Sequence, residues 1–190
     1  MGVSGAGGDY AAICPLMPVG EGTSTPHLTW SDAPLPDSGL AIIEIAGVRR
    51  RYHAALTRTV HFGKPPAAYL DMARTIVEAV DAGLEMARSG NTCEQVEASW
   101  QVVLRKNGLK KESRVGYPVG LAYPPDWTGG NSVTGLRHDS ELEIETGMSF
   151  HILSWLMGTG RGDDFISNAV LLTDDGTEVL TRTPTGPIVR

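Results

Sequence analysis

Apolar residues recur at helical spacing through one long stretch of the chain, where Leu70, Ala73, Ile76, Val77, Val80, Leu84 and Ala87 share a face. Pro65 and Pro66 sit where a fixed φ suits a first turn, and Gly90 ends the pattern, so a helix is predicted between them. A second helix is predicted from Thr92, whose hydroxyl and the Gln95 side chain can cap each other's orphan backbone groups. Val96, Trp100, Val103 and Leu104 form its apolar stripe, and Asn107-Gly108 closes it.

Strands are predicted where β-branched residues and alternation dominate. Leu40 to Ile45 and Tyr52 to Phe62 read as an antiparallel pair joined near Gly47 to Arg50. Met148 to Leu156, Phe165 to Thr173 and Glu178 to Thr183 read as three more, with Asp174-Asp175-Gly176 as a hairpin turn. Tyr10 to Val19 is apolar, but Pro15 and Pro18 donate nothing to a ladder, so it predicts an edge or irregular strand. Gly20 to Pro26 reads as a loop, and Pro34, Pro36 and Gly39 mark another turn. Val115 to Trp127 is too punctuated by glycine and proline for regular structure, and loops of that kind line sites.

A chain of 190 residues, 41% of them hydrophobic, can bury the core of one domain, taken as residues 1–190. The net charge is −6 and the 16 basic residues are scattered except at Arg49, Arg50 and Arg51, which gives no broad basic face for a nucleic acid. The three arginines read as a solvated edge, or else as an anion or subunit contact. Cys14 and Cys93 lie far apart with no CxxC, as expected of reduced thiols in a cytoplasmic protein. No apolar run approaches the roughly eighteen residues of a membrane span, and Met1 to Asp9 is glycine-rich without the features of a secretory leader.

Three segments together resemble the creatinase and proline-dipeptidase family of pita-bread fold. Glu44-Ile-Ala-Gly-Val-Arg-Arg-Arg-Tyr-His-Ala-Ala-Leu-Thr-Arg-Thr59 is similar to its two-strand metal motif. Gly116-Tyr-Pro-Val-Gly-Leu121 resembles its GHGIG loop. Glu145-Thr-Gly-Met-Ser-Phe150, with Ser167 to Gly176, resembles its closing ligand strands. The words at Glu44 to Gly47, Arg51 to His53, Tyr123 to Trp127 and Gly147 to His151 look most like the ectoine-hydrolase branch. The resemblance implies an α+β pita-bread domain, a curved antiparallel sheet with helices on one face. It also implies that the family's N-terminal domain and first helices are absent here, leaving apolar surface for a partner chain, so a homodimer is expected.

At the positions where the resemblance places five metal ligands the chain carries Glu44, Ala55, Tyr117, Leu153 and Ser167. One carboxylate does not offset the charge of two divalent ions, so no metal and no other cofactor is expected. The implied activity is metal-free hydrolysis of a non-peptide C–N bond in a small zwitterionic metabolite. The alternatives are an inactive family remnant that only binds, and a residual metal-dependent Xaa-Pro peptidase.

Glu44 lies in the apolar run Ile42 to Ile45, where an unpaired charge costs several kcal/mol. It therefore needs a cationic partner, Arg58 or one of Arg49 to Arg51, or a raised pKa. The resemblance makes it the catalytic base or nucleophile, with His27 as acid/base. His53, Tyr117, Tyr123 and His151 are the expected substrate contacts, and Tyr123, Trp127 and Trp155 a possible aromatic cage. Thr57 stands where creatinase binds its substrate through a glutamate, which disfavours creatine. His61 and His138 read as surface residues.

Overall fold

The computed structural model describes residues 6–25, 27–28, 31–128 and 135–190. Seven strands and two helices follow in the order β1 (Gly39–Arg49), β2 (Tyr52–Phe62), α1 (Ala67–Met86), α2 (Cys93–Lys106), β3 (Gly116–Pro118), β4 (Ser149–Leu156), β5 (Asp164–Thr173), β6 (Gly176–Val179) and β7 (Ile188–Val189). They form one sheet of order β1-β2-β5-β4-β3, with β6 added to β5 and β7 to β2. Every pairing is antiparallel except β7 on β2.

The two helices form where the apolar spacing placed them. Thr92 accepts from the Gln95 backbone while the Gln95 side chain accepts from Thr92, completing the capping box. Both helices pack over one face of the sheet, and α1 meets β4, β5 and β6. Tyr69, Met72, Ile76, Val96, Trp100 and Leu104 join Phe150, Ile152, Ile166 and Val170 in the core between them. The other face carries a smaller cluster built from Ile42, Ala46, Val48, Ala55, Tyr117, Trp127, Leu153 and Phe165. At the β1 end the helical face is less covered: Ile43 alternates with buried Ile42 and Glu44 and is 36% exposed.

The β1–β2 turn falls at Arg50-Arg51, later than the Gly47 to Arg50 expected, and Gly47 sits inside β1 opposite Ala54. Both arginines have positive φ, 49° and 68°, the geometry a two-residue hairpin demands but one that favours Asn or Gly. Arg51 is held there by contacts a solvated edge would not make. Its guanidinium donates to the Tyr10 and Ala122 carbonyls and lies 4.2 Å from the Tyr10 ring centre and 5.0 Å from that of Tyr123.

Three further segments differ from expectation. Gly20–Ser24 forms a 3-10 turn where a loop was expected. The strand expected over Glu178 to Thr183 starts at Gly176 and stops at Val179. Beyond it the chain crosses the sheet, the Thr181 hydroxyl donates to Asn168 and Arg58 donates to the Thr183 and Pro184 carbonyls, before Ile188–Val189 adds to β2. The apolar stretch before β1 is irregular, as its prolines require, and bridges β1 at Leu16 with Glu44 and Val19 with Ala41. No helix among the described residues is long and apolar enough to cross a membrane.

Candidate active site

Pleating turns Ile42, Glu44 and Ala46 to the face away from the helices, and Glu44 is 4% exposed. The register sets Glu44 opposite Thr57, Thr57 opposite Ser167 and Ser167 opposite Leu153. Ala55 lies one step along β2 on the same side, and Tyr117 of β3 faces His151 of β4. Positions 44, 55, 117, 153 and 167 therefore share one face of five adjacent strands.

Of the two fates open to Glu44, the structure selects the raised pKa. Arg58 is paired with Ile43 and lies on the opposite face, where it donates to the carbonyls of Thr57, Ser167, Thr183 and Pro184 and to Asn168 Oδ1. Arg51 is engaged at the turn. Burial pushes the Glu44 carboxyl up to about 7, and the neighbouring Thr57 hydroxyl acts in the opposite direction. That hydroxyl makes no hydrogen bond of ordinary geometry, so burial dominates. The nearest cationic candidate is His27, whose Nε2 stands 4.0 Å from Glu44 Oε2, beyond hydrogen-bond reach but within reach of an ion pair. The His27 side chain is exposed, so it joins a buried carboxyl to solvent.

Glu44, His27 and Tyr117 line one cleft of about 640 Å³. Its apolar wall includes Leu16, Leu153 and the stacked pair Trp155 and Phe165, with ring centres 4.6 Å apart and planes 7° from parallel. Trp155 Nε1 is buried without a partner among the described residues.

Tyr117 is fixed from behind. Trp127 Nε1 donates to its hydroxyl at 3.0 Å, and His151 Nδ1 lies 2.7 Å from the same oxygen. The other ring nitrogen of His151 is 2.6 Å from Ser167 Oγ. His151 is wholly buried, and desolvation, with a smaller push from Arg114, lowers its pKa to about 3, so the ring is neutral.

The other sequence candidates are placed elsewhere. His151 supports the cleft wall and does not line it. His53 points to the same face but is satisfied by the Ala12 amide on Nε2 and the Arg51 carbonyl at Nδ1, at the rim of a second cavity. Tyr123 is 59% exposed over Arg51, outside the cleft, and Trp127 is buried behind Tyr117. Of the expected aromatic cage only Trp155 reaches the cleft. His61 is buried beside Tyr69, their rings 5.2 Å apart, because α1 packs over that end of β2.

Sequence reasoning missed the cleft's cations. Lys111 and Arg114 both line it, with Ser113 between them. Their one signal was a charged run, Lys110 to Arg114, set against the glycine-rich loop that starts at Gly116.

A model of metallopeptidase family M24 matches residues 2–174. The chain belongs to this family. An M24 relative described as ectoine hydrolase from Halomonas elongata is 38% identical over 94% of this chain and 44% of its own length. Among solved structures, dipeptidase PepE from Mycobacterium ulcerans superposes with a TM-score of 0.83 at 25% identity, covering 97% of this chain and 48% of that one. An Xaa-Pro dipeptidase from Bacillus anthracis gives 0.86 at 20% identity, covering 98% and 51%. The fold is thus the pita-bread arrangement of M24 proteins, and the chain spans about half the length of the relatives it matches.

An M24 metal centre does not fit these side chains. Of the five converging positions, one is a carboxylate, two are hydrocarbon and two are hydroxyls. Among the described residues no three His, Cys, Asp or Glu side chains come together to hold an ion. The Ser167 and Tyr117 oxygens are already committed to His151. Such a donor set offers too little negative charge for a bridged pair.

Proposed function

We propose that this cleft hydrolyses a non-peptide C–N bond of a small zwitterionic metabolite of the ectoine type, without a metal ion. The observation that carries the reading is Glu44: a buried carboxyl titrating near 7, next to His27, at the one acidic position left in the donor set. The similarity to an ectoine hydrolase supports the substrate class.

Near neutral pH a group with this pKa is present in both forms, which suits a general base. Glu44 takes a proton from water as the water oxygen attacks the carbon of the scissile bond. Protonated His27 gives its proton to the departing nitrogen, whose bond electrons return to it as the bond breaks. Tyr117, with its phenol held protonated by burial, lines the same cleft and offers its hydroxyl to the substrate as a hydrogen-bonding group. The Trp155 and Phe165 stack offers a flat apolar wall to a delocalised ring.

The test is turnover of ectoine by the wild type and Glu44→Gln, each with and without chelator. The expected result is activity indifferent to chelation and lost in Glu44→Gln. Activity abolished by chelation overturns the metal-free reading, and tight binding of ectoine without turnover replaces the hydrolase with a binding module.

A further inference from the structure

Lys111 is a buried cation with no acidic partner among the described residues. It is 2% exposed, and its ammonium donates to Ser113 Oγ at 2.7 Å and to the Trp155 carbonyl at 3.2 Å, leaving one of its three protons unspent. Arg114, two residues past Glu112, lies with its guanidinium carbon 4.5 Å from the centre of the Tyr117 ring. Neither side chain has a carboxylate within ion-pair distance among the described residues. Glu112, the acid between them, is turned outward and paired with Lys110.

Asp126 also lines the cleft, but its carboxylate oxygens accept from the Thr128 amide and hydroxyl and make no ion pair with either cation among the described residues. A buried cation without an ion-paired acid carries a desolvation cost, which it tolerates only if something repays it. Lys111 shows that cost: desolvation first, and then the charge of Arg114, lower its pKa to about 8. Glu44 does not repay it, since its carboxylate makes no ion pair with Lys111 or Arg114 among the described residues. The cleft therefore holds Glu44 with His27 at one place, Asp126 bonded to Thr128, and two cations without an ion-paired acid at another.

We propose that Lys111 and Arg114 form a carboxylate subsite that anchors the acid group of the substrate while its C–N centre lies at Glu44. The assignment deepens the zwitterion reading above and rests on it for the identity of the rest of the substrate. A carboxylate matches the site in charge and geometry: two oxygens accept from the spare ammonium proton and from the guanidinium fork, and Ser113 completes the cradle. The apolar wall between the two poles suits a ring or short hydrocarbon link.

The experiment is calorimetric binding of four probes: ectoine, its neutral carboxamide, glycyl-proline and glycyl-prolinamide. Each is titrated into wild type, Lys111→Met and Arg114→Met, with Glu44→Gln as background so that nothing is consumed. In the wild-type subsite at least one free acid binds tenfold or more tighter than its amide. Both cation variants lose that factor for the acid and leave the amide unchanged. Arg114 is only half-buried, so its variant carries the test if Lys111→Met fails to fold. Equal binding of acid and amide, equal weakening of both by the variants, or binding by none of the four overturns the subsite. Discrimination in the glycyl-proline pair with ectoine silent keeps the subsite and sinks the ectoine-type reading.

Discussion

His151 Nδ1 lies 2.7 Å from the Tyr117 hydroxyl while its Nε2 lies 2.6 Å from Ser167 Oγ, so one buried imidazole ties together two positions that the family resemblance assigns to metal ligands. The space between β3, β4 and β5 is closed by a hydrogen-bonded side-chain network rooted in Trp127. That network sets the phenol's position at the cleft wall.

Replacing His151 with Leu strands the buried Ser167 hydroxyl and leaves the Tyr117 hydroxyl only its bond from Trp127. One unsatisfied buried group costs about 1–3 kcal/mol, so the variant should lose about that much in urea unfolding. His151→Gln, which can still bond one of the two, should lose less. If Leu and Gln cost the same, the network contributes packing only.

Glu44 gives a pH signature with a defined sign. Its pKa is raised from 4.5 to about 7 in the fold, so the folded protein holds a proton that the unfolded chain has released. The stability it supplies is whole below 4.5 and is lost as pH rises toward 7. Asp164, raised to about 6 by burial, acts in the same direction, and His151 in the opposite one, so the wild-type curve alone does not isolate Glu44. The difference between wild type and Glu44→Gln does. Gln lacks the titration, and its advantage should grow between pH 4.5 and 7.5 by up to about 3 kcal/mol. A difference that stays flat over that range would show Glu44 to be solvated.

The elements legible in the sequence are those with a local cause. The Thr92 cap, the α1 stripe and the irregular run around Pro15 and Pro18 each depend on residues within a few positions. Glu44 was legible because a charge inside Ile42 to Ile45 has few bland explanations. What was not legible depends on distant partners. His53 does face the cleft side, but the Ala12 amide from outside the sheet occupies it. Arg51 looked solvated because nothing local announces Tyr10 and Tyr123 on either side of it. Lys111 sits in a charged run that reads as surface, and only the approach of the Trp155 carbonyl buries it. Ile188 and Val189 are too few to signal a strand.

Arg58 links the last turn of the chain to the sheet. It donates to the Thr183 and Pro184 carbonyls on one side and to Ser167 and Asn168 on the other, and it is 5% exposed. Arg58→Met keeps most of the volume but removes the bonds to the buried Thr57 and Ser167 carbonyls and to those of the exposed Thr183 and Pro184, which should cost about 2–4 kcal/mol. Residues after Leu180 should then gain fast amide exchange while β4 stays protected. Lys in place of Arg should rescue little, because a single ammonium does not span five acceptors. Unchanged exchange in the C-terminal segment would show that β7 alone holds it.

Gly83 tests how closely α1 and α2 approach. A Cβ at this position would lie 2.7 Å from Trp100 Cε3 and 3.0 Å from Cζ3, well inside contact distance, and Trp100 is fully buried with little room to retreat. Two effects compete in Gly83→Ala. Alanine favours the helix by about 1 kcal/mol over glycine, since less backbone entropy is lost. Forcing a methyl group into a packed interface costs about 1–3 kcal/mol. The overlap is with an aromatic ring rather than a flexible side-chain end, so the steric cost should win and the variant should be destabilised by about 1 kcal/mol. Gly83→Ala paired with Trp100→Phe should recover part of the loss, because the smaller ring vacates the space the methyl needs. A stabilised single variant would mean that the helices can separate without cost, and that the α1–α2 contact is looser than the Gly83–Trp100 distance requires.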